Sequence, residues 1–407
     1  MKINLPDSVK SIITRLEQNG YEAYAVGGCV RDSLLGRVPK DWDITTSALP
    51  EEIKKVFGRT IDTGIEHGTV TVMYQGEGYE TTTYRIDGKY SDSRHPDSVE
   101  FSRSLEEDLK RRDFTINAMA YSDKRGIVDL FGGIDDLDDR IIRCVGNPLE
   151  RFSEDALRIL RAIRFSAELD FDIDDKTLEA ASQLKDRLKL ISAERIHSEL
   201  ERLLMSSHPE KAGFLNSTGV DGVIFPEFAK AVGKDPLMIR SLTGLLKASP
   251  YDKRIRWAVL LHMTGGGIAP LKRLKFDNNT IHAVSELLRL ENEKLIGLSD
   301  TGMRRFMHNA GAENMPLVFD YRRSIEPETD YSEAIRQFEA IRERGECTCL
   351  KELAVSGSDL MGCGVPSGKD IGRILNLLLD EVIEDPAANN REHLLKNAVD
   401  LYRDNSF

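Results

Sequence analysis

The chain has 407 residues, of which 40% are hydrophobic and 30% are charged, and its formal net charge is −12. This length exceeds what one hydrophobic core usually supports, so we expect several domains. The composition excludes a disordered chain, and no apolar run approaches the ~18 residues of a membrane span. Because the N-terminus also lacks the apolar stretch of a signal peptide, we predict a cytoplasmic protein without a membrane segment.

The negative charge argues against a polyanionic partner, but a global sum does not describe local patches. The cysteine pattern argues against a zinc site, because the five thiols are odd in number and form no CxxC pair. Reduced thiols are the favoured interpretation, and metal or redox use of the only close pair is the alternative. The cysteines are Cys29, Cys144, Cys347, Cys349 and Cys363.

The first 140 residues alternate helix and strand patterns. Apolar spacing and glycine stops predict helices over 9–19, 30–35 and 50–57. Strands are predicted over 21–26, 41–45 and 127–131, with a hairpin formed by 69–73 and 79–85 around the turn at 76–78.

Strand patterns end near residue 145, and the remainder is predicted to be helical. We therefore predict an α+β fold class, with an N-terminal head that contains a mixed or antiparallel sheet, followed by all-helical domains. The predicted domains are 1–140, 141–205, 206–310 and 311–407. The predicted helices span residues 150–166, 174–187, 192–206, 255–263, 281–290, 301–309, 332–343, 370–383 and 390–403.

A glycine pair follows the strand over 21–26. Gly27 and Gly28 precede a helix, so the backbone there can approach a phosphate, and the N–H groups of the helix start favour an anion. Arg31 lies on the first helical turn, where a cation is unfavourable for the helix itself. A bound phosphate would explain that position.

Two carboxylates follow this turn. On a strand, Asp41 and Asp43 would share one face, with Trp42 facing the opposite layer. Their repulsion is relieved by a cation, and Mg²⁺ prefers such oxygen ligands together with substrate phosphates. A two-metal phosphoryl-transfer site commonly uses a third carboxylate, for which Glu80 is the first choice, with Glu66 and Glu77 as alternatives.

These residues occur in a run that is similar to a known family. GGCVRDSLLGRVPKDWDITTSALPEE resembles the first motif of the class II tRNA nucleotidyltransferases, which include CCA-adding enzymes and bacterial poly(A) polymerases. Four further segments match in order, and the C-terminal stretch resembles the tail of CCA-adding members more loosely. The four segments are YRIDGKYSDSRHPDSV at 84–99, RRDFTINAM at 111–119, EDALRILRAIRF at 154–165 and SAERI at 192–196.

The resemblance implies a nucleotidyltransferase head followed by a helical neck, body and tail. It implies Asp41 and Asp43 as Mg²⁺ ligands and Glu80 as the activator of the primer hydroxyl. The implied partners are tRNA, CTP and ATP, and the implied reaction adds C, C and A to the tRNA 3′ end without a nucleic-acid template. The implied nucleotide contacts are Gly28, Arg31, Arg112, Asp113, Asp155, Arg158, Arg161 and Arg164.

Helical spacing gives the segment from residue 150 a polar face of its own. Glu154, Arg158 and Arg161 fall on one side, with Asp155 and Arg164 at its borders and apolar residues opposite. A carboxylate and a guanidinium can pair with the Watson–Crick edge of a base. C and A both present an exocyclic amine there, so a protein template for these two bases is physically reasonable. The alternative to a base-selecting role is that this polar face is an ordinary solvent-exposed helix surface.

Several alternatives stay open at this point. An A-only or CC-only enzyme, a bacterial poly(A) polymerase and an inactive tRNA-binding protein are weighed against full CCA addition. The run 63–72 resembles the CCA-adding version, and 84–99 resembles a loop associated with addition of the terminal A. Lys272, Arg273, Lys275 and the loop 364–368 are candidate tRNA contacts or ordinary surface. The sequence leaves monomer and homodimer undecided.

Overall fold

The computed structural model describes residues 2–88, 99–234, 237–262, 264 and 267–403. The chain divides into two compact units. The first comprises Met1–Lys247 and Ala269–Phe276, and the second comprises Ala248–Ile268 and Asp277–Phe407. The first unit contains the predicted head together with the following helices, and the finer division into four domains stays a prediction.

The head contains a seven-stranded sheet with the order β3-β4-β5-β2-β1-β8-β9. Strands β2 and β5 are parallel and the other neighbours are antiparallel, which confirms the predicted mixed sheet. Two small two-stranded sheets pair β6 with β7 and β10 with β11. The strands are β1 Ala23–Val26, β2 Ile44–Thr46, β3 Thr60–Gly64, β4 Thr69–Tyr74, β5 Glu77–Thr83, β6 Arg85–Asp87, β7 Val99–Phe101, β8 Met119–Ser122, β9 Gly126–Asp129, β10 Ile141–Ile142 and β11 Asp172–Ile173.

Helices flank the sheet and form most of the regular structure in the rest of the described chain. In the first unit they are α1 Asp7–Gln18, α2 Gly28–Leu34, α3 Pro50–Val56, α4 Leu105–Lys110, α5 Gly133–Asp138, α6 Pro148–Glu154, α7 Leu157–Leu169, α8 Asp175–Leu184, α9 Ala193–Leu204, α10 Gly213–Ser217, α11 Asp221–Ile224, α12 Pro226–Lys234 and α13 Met238–Ala248, whose last residue belongs to the second unit. The remaining helices are α14 Lys253–His262, α15 Ala269–Arg273 of the first unit, α16 Asn278–Leu290, α17 Asp300–Ala310, α18 Met315–Ile325, α19 Ser332–Glu343, α20 Gly357–Gly362, α21 Lys369–Glu384 and α22 Arg391–Arg403.

Apolar spacing explains how the elements pack. Helix α1 buries Val9, Ile12, Ile13 and Leu16, which recur at helical spacing on one side. In the second unit, α20, α21 and α22 share a core that includes Leu360, Leu378 and Leu394. The helical expectation after residue 145 is therefore confirmed, apart from the short strand β11.

The structure corrects two expected elements at the candidate site. Strand β2 begins at Ile44, so Asp41 and Asp43 lie in the extended segment before the strand. The predicted helix over 150–166 is two helices, because α6 ends at Glu154 and α7 begins at Leu157. Strands β3 and β8 of the seven-stranded sheet were not predicted, nor were the short strands β7, β10 and β11.

The structure contains no disulfide among the five cysteines. All five thiols are free, and burial raises the pKa of Cys29 to about 11. Within the described residues, no helix combines the length and apolar character that spanning a membrane requires. Residues 89–98, most of the predicted loop at 84–99, lie outside the described residues.

Candidate active site

Four carboxylates, Asp41, Asp43, Glu77 and Glu80, line one cavity of about 800 Å³ in the head. The register of β2 against β5 pairs Ile44 with Thr81, so the residue before β2, Asp43, comes beside Glu80. Asp41 and Trp42 line the same cavity. The expectation that Trp42 would face the opposite layer rested on strand alternation, and Trp42 lies before the strand begins.

The charge around Asp43 differs from that of an ordinary surface acid. The surrounding protein partly desolvates Asp43 and raises its pKa although the side chain stays exposed, and Arg112 opposes that rise. The charges of Glu80 and Asp41 raise the pKa further. This electrostatic coupling favours Glu80 over Glu66 and Glu77 as the third carboxylate, because neither alternative acts on Asp43.

The donor set fits a cation that shares its ligands with a substrate. In the described part of the chain, no group of three or more acidic, His or Cys side chains is arranged to hold a metal ion by itself. Mg²⁺ usually takes one or two carboxylates and completes its shell with waters and substrate phosphates. Asp41 and Asp43 can supply those carboxylates.

The glycine turn after β1 allows a close approach by an arginine. Gly27 has a φ of 80°, and a Cβ there would lie 2.9 Å from Nη1 of Arg112. A side chain at this position would therefore strain the backbone and displace Arg112. Gly28 begins α2, and Arg31 on the same helix is 9% exposed.

A chain of polar contacts connects this turn to the RRDFTINAM segment and to α7. Arg31 donates from Nη1 to Oδ1 of Asn117 at 2.7 Å, and Asn117 donates to Oδ1 of Asp113 at 3.1 Å. Asp113 accepts from Nε and Nη2 of Arg161 at 2.8 and 2.5 Å. Burial opposes ionisation of Asp113, but Arg161 outweighs it and holds the pKa of this carboxyl well below its usual range. Three sequence segments are thereby fixed to one another.

Arg112 lies between the carboxylates and a buried acid that the sequence reasoning missed. Its Nη2 is 3.3 Å from Oδ2 of Asp108, which is fully buried. Asp108 also accepts from the Thr45 hydroxyl at 3.1 Å and from Arg111 at 2.7 Å. Burial of Asp108 is outweighed by the charges of Arg111 and Arg112, and its pKa is lowered.

The predicted base-selecting residues lie at the break between α6 and α7. Asp155 is extended, with φ −137° and ψ 103°, and its Oδ1 accepts from the backbone N–H of Leu157 at 3.0 Å. Its Oδ2 pairs with Arg195 of α9 at 2.8 Å. Arg158 pairs with Glu154 at 2.6 Å and donates to the backbone oxygen of Arg111 at 3.1 Å.

Arg164 departs from the predicted polar face. Its side chain is 1% exposed and pairs with Glu199 at 2.5 Å and Glu168 at 2.6 Å. Its guanidinium also lies 3.9 Å from the ring centre of Phe165, a ring that Arg31 and Arg161 approach as well. The border position predicted for Arg164 is wrong, because α7 turns this residue toward α9.

Three residues that position these groups were not singled out from the sequence. Asn117 and Arg195 lay inside the segments that carried the resemblance, so the motif itself was the available signal. Asp108 lies upstream of RRDFTINAM, and neither its type nor its spacing indicated that it would be buried between two arginines. Glu154 was placed on the polar face, but its pairing with both Arg151 and Arg158 was not expected.

The candidate tRNA contacts are partly engaged with neighbouring acids. Arg273 pairs with Glu227 at 2.9 Å, and Lys275 pairs with Glu194 at 2.6 Å. Residues 364–368 connect α20 to α21, and both end glycines have positive φ, 97° at Gly364 and 159° at Gly368. No described contact assigns a tRNA role to either segment.

Matches to family models define the class of protein. Residues 23–143 match the poly A polymerase head domain, and residues 170–232 match a probable RNA-binding site of polymerase A. Residues 251–398 match the second domain of tRNA nucleotidyltransferases. The fold is therefore that of a nucleotidyltransferase that acts on RNA.

Relatives over the whole chain define the family. The CCA-adding enzyme of Limosilactobacillus fermentum is 39% identical over 98% of this chain and 97% of its own, and that of Levilactobacillus brevis is 39% identical over 97% and 98%. The solved structure of the Bacillus stearothermophilus CCA-adding enzyme in complex with CTP matches with 34% identity, 98% coverage of both chains and a TM-score of 0.81. The chain belongs to the CCA-adding enzymes, which are tRNA nucleotidyltransferases.

This membership resolves the alternatives left by the sequence. The chain is an enzyme that adds C, C and A to the tRNA 3′ end from CTP and ATP, rather than a poly(A) polymerase, a partial CCA-adding enzyme or an inactive tRNA-binding protein. The predicted fold class is also confirmed.

Proposed function

We propose that Asp41, Asp43 and Glu80 are the catalytic carboxylates of CCA addition and that the cation they use is Mg²⁺. The observation that carries this proposal is their convergence on one cavity, with Glu80 and Asp41 acting electrostatically on Asp43. Asp41 and Asp43 would hold the ion. Bound Mg²⁺ supplies Lewis-acid neutralisation of the phosphate charge that develops in the reaction.

The protein groups then position the reactants. The 3′-oxygen of the tRNA attacks the α-phosphorus of the nucleoside triphosphate, and the bond from that phosphorus to the bridging oxygen breaks. Pyrophosphate leaves with the bond electrons. Glu80 accepts the proton of the 3′-hydroxyl. The reaction repeats with CTP, CTP and ATP.

Nucleotide binding is assigned to groups linked to the polar chain described above. Gly28, Arg31 and Arg112 would face the triphosphate, and Asp113 and Arg161 would lie near the ribose. Arg164 is buried in its ion pairs, so we assign it to holding α7 against α9 rather than to direct contact. This revises the contact implied by the sequence.

Base selection is assigned to Asp155 and Arg158. The Asp155 carboxylate would accept from the exocyclic amine that C and A share, and the Arg158 fork would donate to the acceptor atoms of the base edge. Their present partners, Arg195 and Glu154, support defined orientations for both groups. Arg158→Ala should lower discrimination against UTP and GTP more than it slows CTP addition, and unchanged discrimination would contradict the assignment.

The carboxylate proposal is tested with single alanine variants. Asp41→Ala and Asp43→Ala should abolish incorporation of labelled CTP into tRNA that ends at the discriminator base. Asp62→Ala is the matched control, since this exposed acid belongs to the same sheet but pairs with Lys54. Retained activity in either active-site variant, with its melting temperature unchanged, would contradict the assignment.

The cytoplasm is the proposed location, because it holds tRNA, CTP and ATP together. Lys272, Arg273, Lys275 and the loop 364–368 stay candidate contacts for the tRNA backbone. Whether the enzyme is a monomer or a homodimer also stays a prediction for measurement in solution.

A further inference from the structure

Glu80 belongs to a row of side chains that crosses three strands of the head sheet. Thr71 of β4 pairs with Glu80 of β5, and Ile61 of β3 pairs with Thr71. Residues opposite one another on neighbouring strands present their side chains to the same face. Because the register of β2 places Asp43 beside Glu80, the row leads directly to the carboxylates.

The two faces of this part of the sheet differ in burial. Val70 and Val72, which alternate with Thr71 along β4, are fully buried. Ile61 on the other face is 51% exposed, so its apolar side chain is available for contact on the same face as Glu80. Two hydroxyl groups lie on the same exposed face. The register between β3 and β4 is irregular between Ile61 and Gly64, and Oγ1 of Thr63 lies 2.9 Å from Oγ1 of Thr71.

The sheet order, taken together with the proposed nucleotide contacts, indicates which substrate this face would meet. Gly28 and Arg31, assigned to the nucleotide, follow β1, and the carboxylates belong to the β2 and β5 region. Strands β4 and β3 lie beyond β5, on the side away from β1. In-line displacement puts the attacking oxygen and the leaving pyrophosphate on opposite sides of the α-phosphorus. If pyrophosphate leaves toward β1, the 3′ end of the tRNA approaches the α-phosphorus from the side of β5, β4 and β3.

We propose that Ile61, Thr63 and Thr71 bind the single-stranded 3′ end of the tRNA substrate. Ile61 would pack against the base that precedes the reacting nucleotide, and the two threonine hydroxyls would hydrogen-bond to its ribose and phosphate. Two strand spacings separate Ile61 from Glu80, roughly 10 Å. The inference rests on the proposed role of Asp43 and Glu80, since they fix where the 3′-hydroxyl must lie.

The chemistry of this surface suits a primer whose end changes during the reaction. The enzyme meets three successive 3′ ends, which finish in the discriminator base, in C and in CC. An aliphatic side chain can pack against the face of any base, and a hydroxyl can bond to any ribose or phosphate. The surface therefore holds each end in turn without selecting its sequence, and selection stays with the incoming nucleotide.

The test compares two exposed aliphatic residues of the same head. Ile61→Ala should raise the KM for tRNA by about five- to ten-fold and leave the KM for CTP within about two-fold. Thr71→Val should raise the KM for tRNA by about three-fold. Leu130→Ala is the matched control, because Leu130 is 50% exposed and follows β9 at the other end of the sheet. This variant should match the wild type.

Further variants exclude a merely structural effect. Ile61→Leu should restore the KM for tRNA, because it returns the apolar area. The inference is overturned if Ile61→Ala leaves the KM for tRNA unchanged, if Leu130→Ala raises it equally, or if the KM for CTP rises in parallel. Asp43→Ala separates this outcome from the catalytic proposal. Full turnover in Asp43→Ala would refute the carboxylate assignment. If Asp43→Ala is inactive but Ile61→Ala has the wild-type KM for tRNA, only the primer surface is refuted.

Discussion

Asp113 shows how a single residue can hold the nucleotide site together. It is 8% exposed and accepts from both Arg161 and Asn117. An acid that is buried in this way stabilises the fold only while it is ionised and paired, because a carboxylate buried without its partner is costly. The same contact therefore contributes to stability and to the geometry of the site.

Asp113→Asn should lower the free energy of unfolding at pH 7 by about 1–3 kcal/mol. Because the folded-state pKa of Asp113 lies below its unfolded value, its contribution is present above the unfolded pKa of about 4 and is lost as pH falls toward the folded value. Urea unfolding of both proteins at several pH values should show the difference shrinking below pH 4. A difference that stays constant across that range would contradict the ion-pair account.

Asp43 presents the opposite case, in which function opposes stability. Its pKa is raised, so the folded protein without a cation disfavours the ionised form that binding requires. Asp43→Asn removes the repulsion between Asp43 and its neighbours Glu80 and Asp41. The variant should therefore have a higher melting temperature than the wild type in the metal-free state, and it should have no turnover. Thermal scans with and without Mg²⁺ test this, and the ion should stabilise the wild type more than the variant. A lower melting temperature for the metal-free variant would contradict the electrostatic argument.

At the scale of elements, the break between α6 and α7 is the feature that matters most. Helical periodicity over 150–166 correctly identified the apolar side but treated the segment as one helix. Asp155 stops α6 because its side chain bonds to the N–H of Leu157, a local contact that competes with the helical backbone. Periodicity carries no record of such a contact, so it placed Asp155 within a continuous helix instead of at the break between two helices.

Arg195→Ala tests whether α9 orients Asp155 across this break. Loss of the 2.8 Å pair should increase misincorporation of UTP and GTP by several-fold, with little change in the KM for tRNA. Arg202→Ala is the control, since Arg202 lies on the same helix but pairs with Glu168. Equal fidelity in the two variants would show that Asp155 is oriented without Arg195.

The carboxylates illustrate what the sequence could and could not predict. The Asp-x-Asp spacing after a glycine turn identified Asp41 and Asp43, and a hairpin pattern identified Glu80. Their convergence depends on the parallel pairing of β2 with β5, a long-range register that local patterns do not specify. Asp108 and Asn117 were missed partly for the same reason, since each has one partner in a distant segment, Thr45 for Asp108 and Arg31 for Asn117.

At the scale of the whole molecule, the family match extends over both compact units, whereas the proposed chemistry lies entirely within the first. The sequence predicted an α+β head and a helical remainder because periodicity is a local property that changes near residue 145. Domain boundaries depend on contacts between distant segments. One example is Ala269–Phe276, which returns to the first unit after the chain has entered the second.

The most direct test of the account is the sequence of the product. Purified enzyme is incubated with tRNA that ends at the discriminator base, Mg²⁺ and all four nucleoside triphosphates, and the 3′ ends are sequenced over time. We predict that C, then CC, then CCA appear in that order, and that addition stops at CCA. Long A tails, or addition of A alone, would contradict the account.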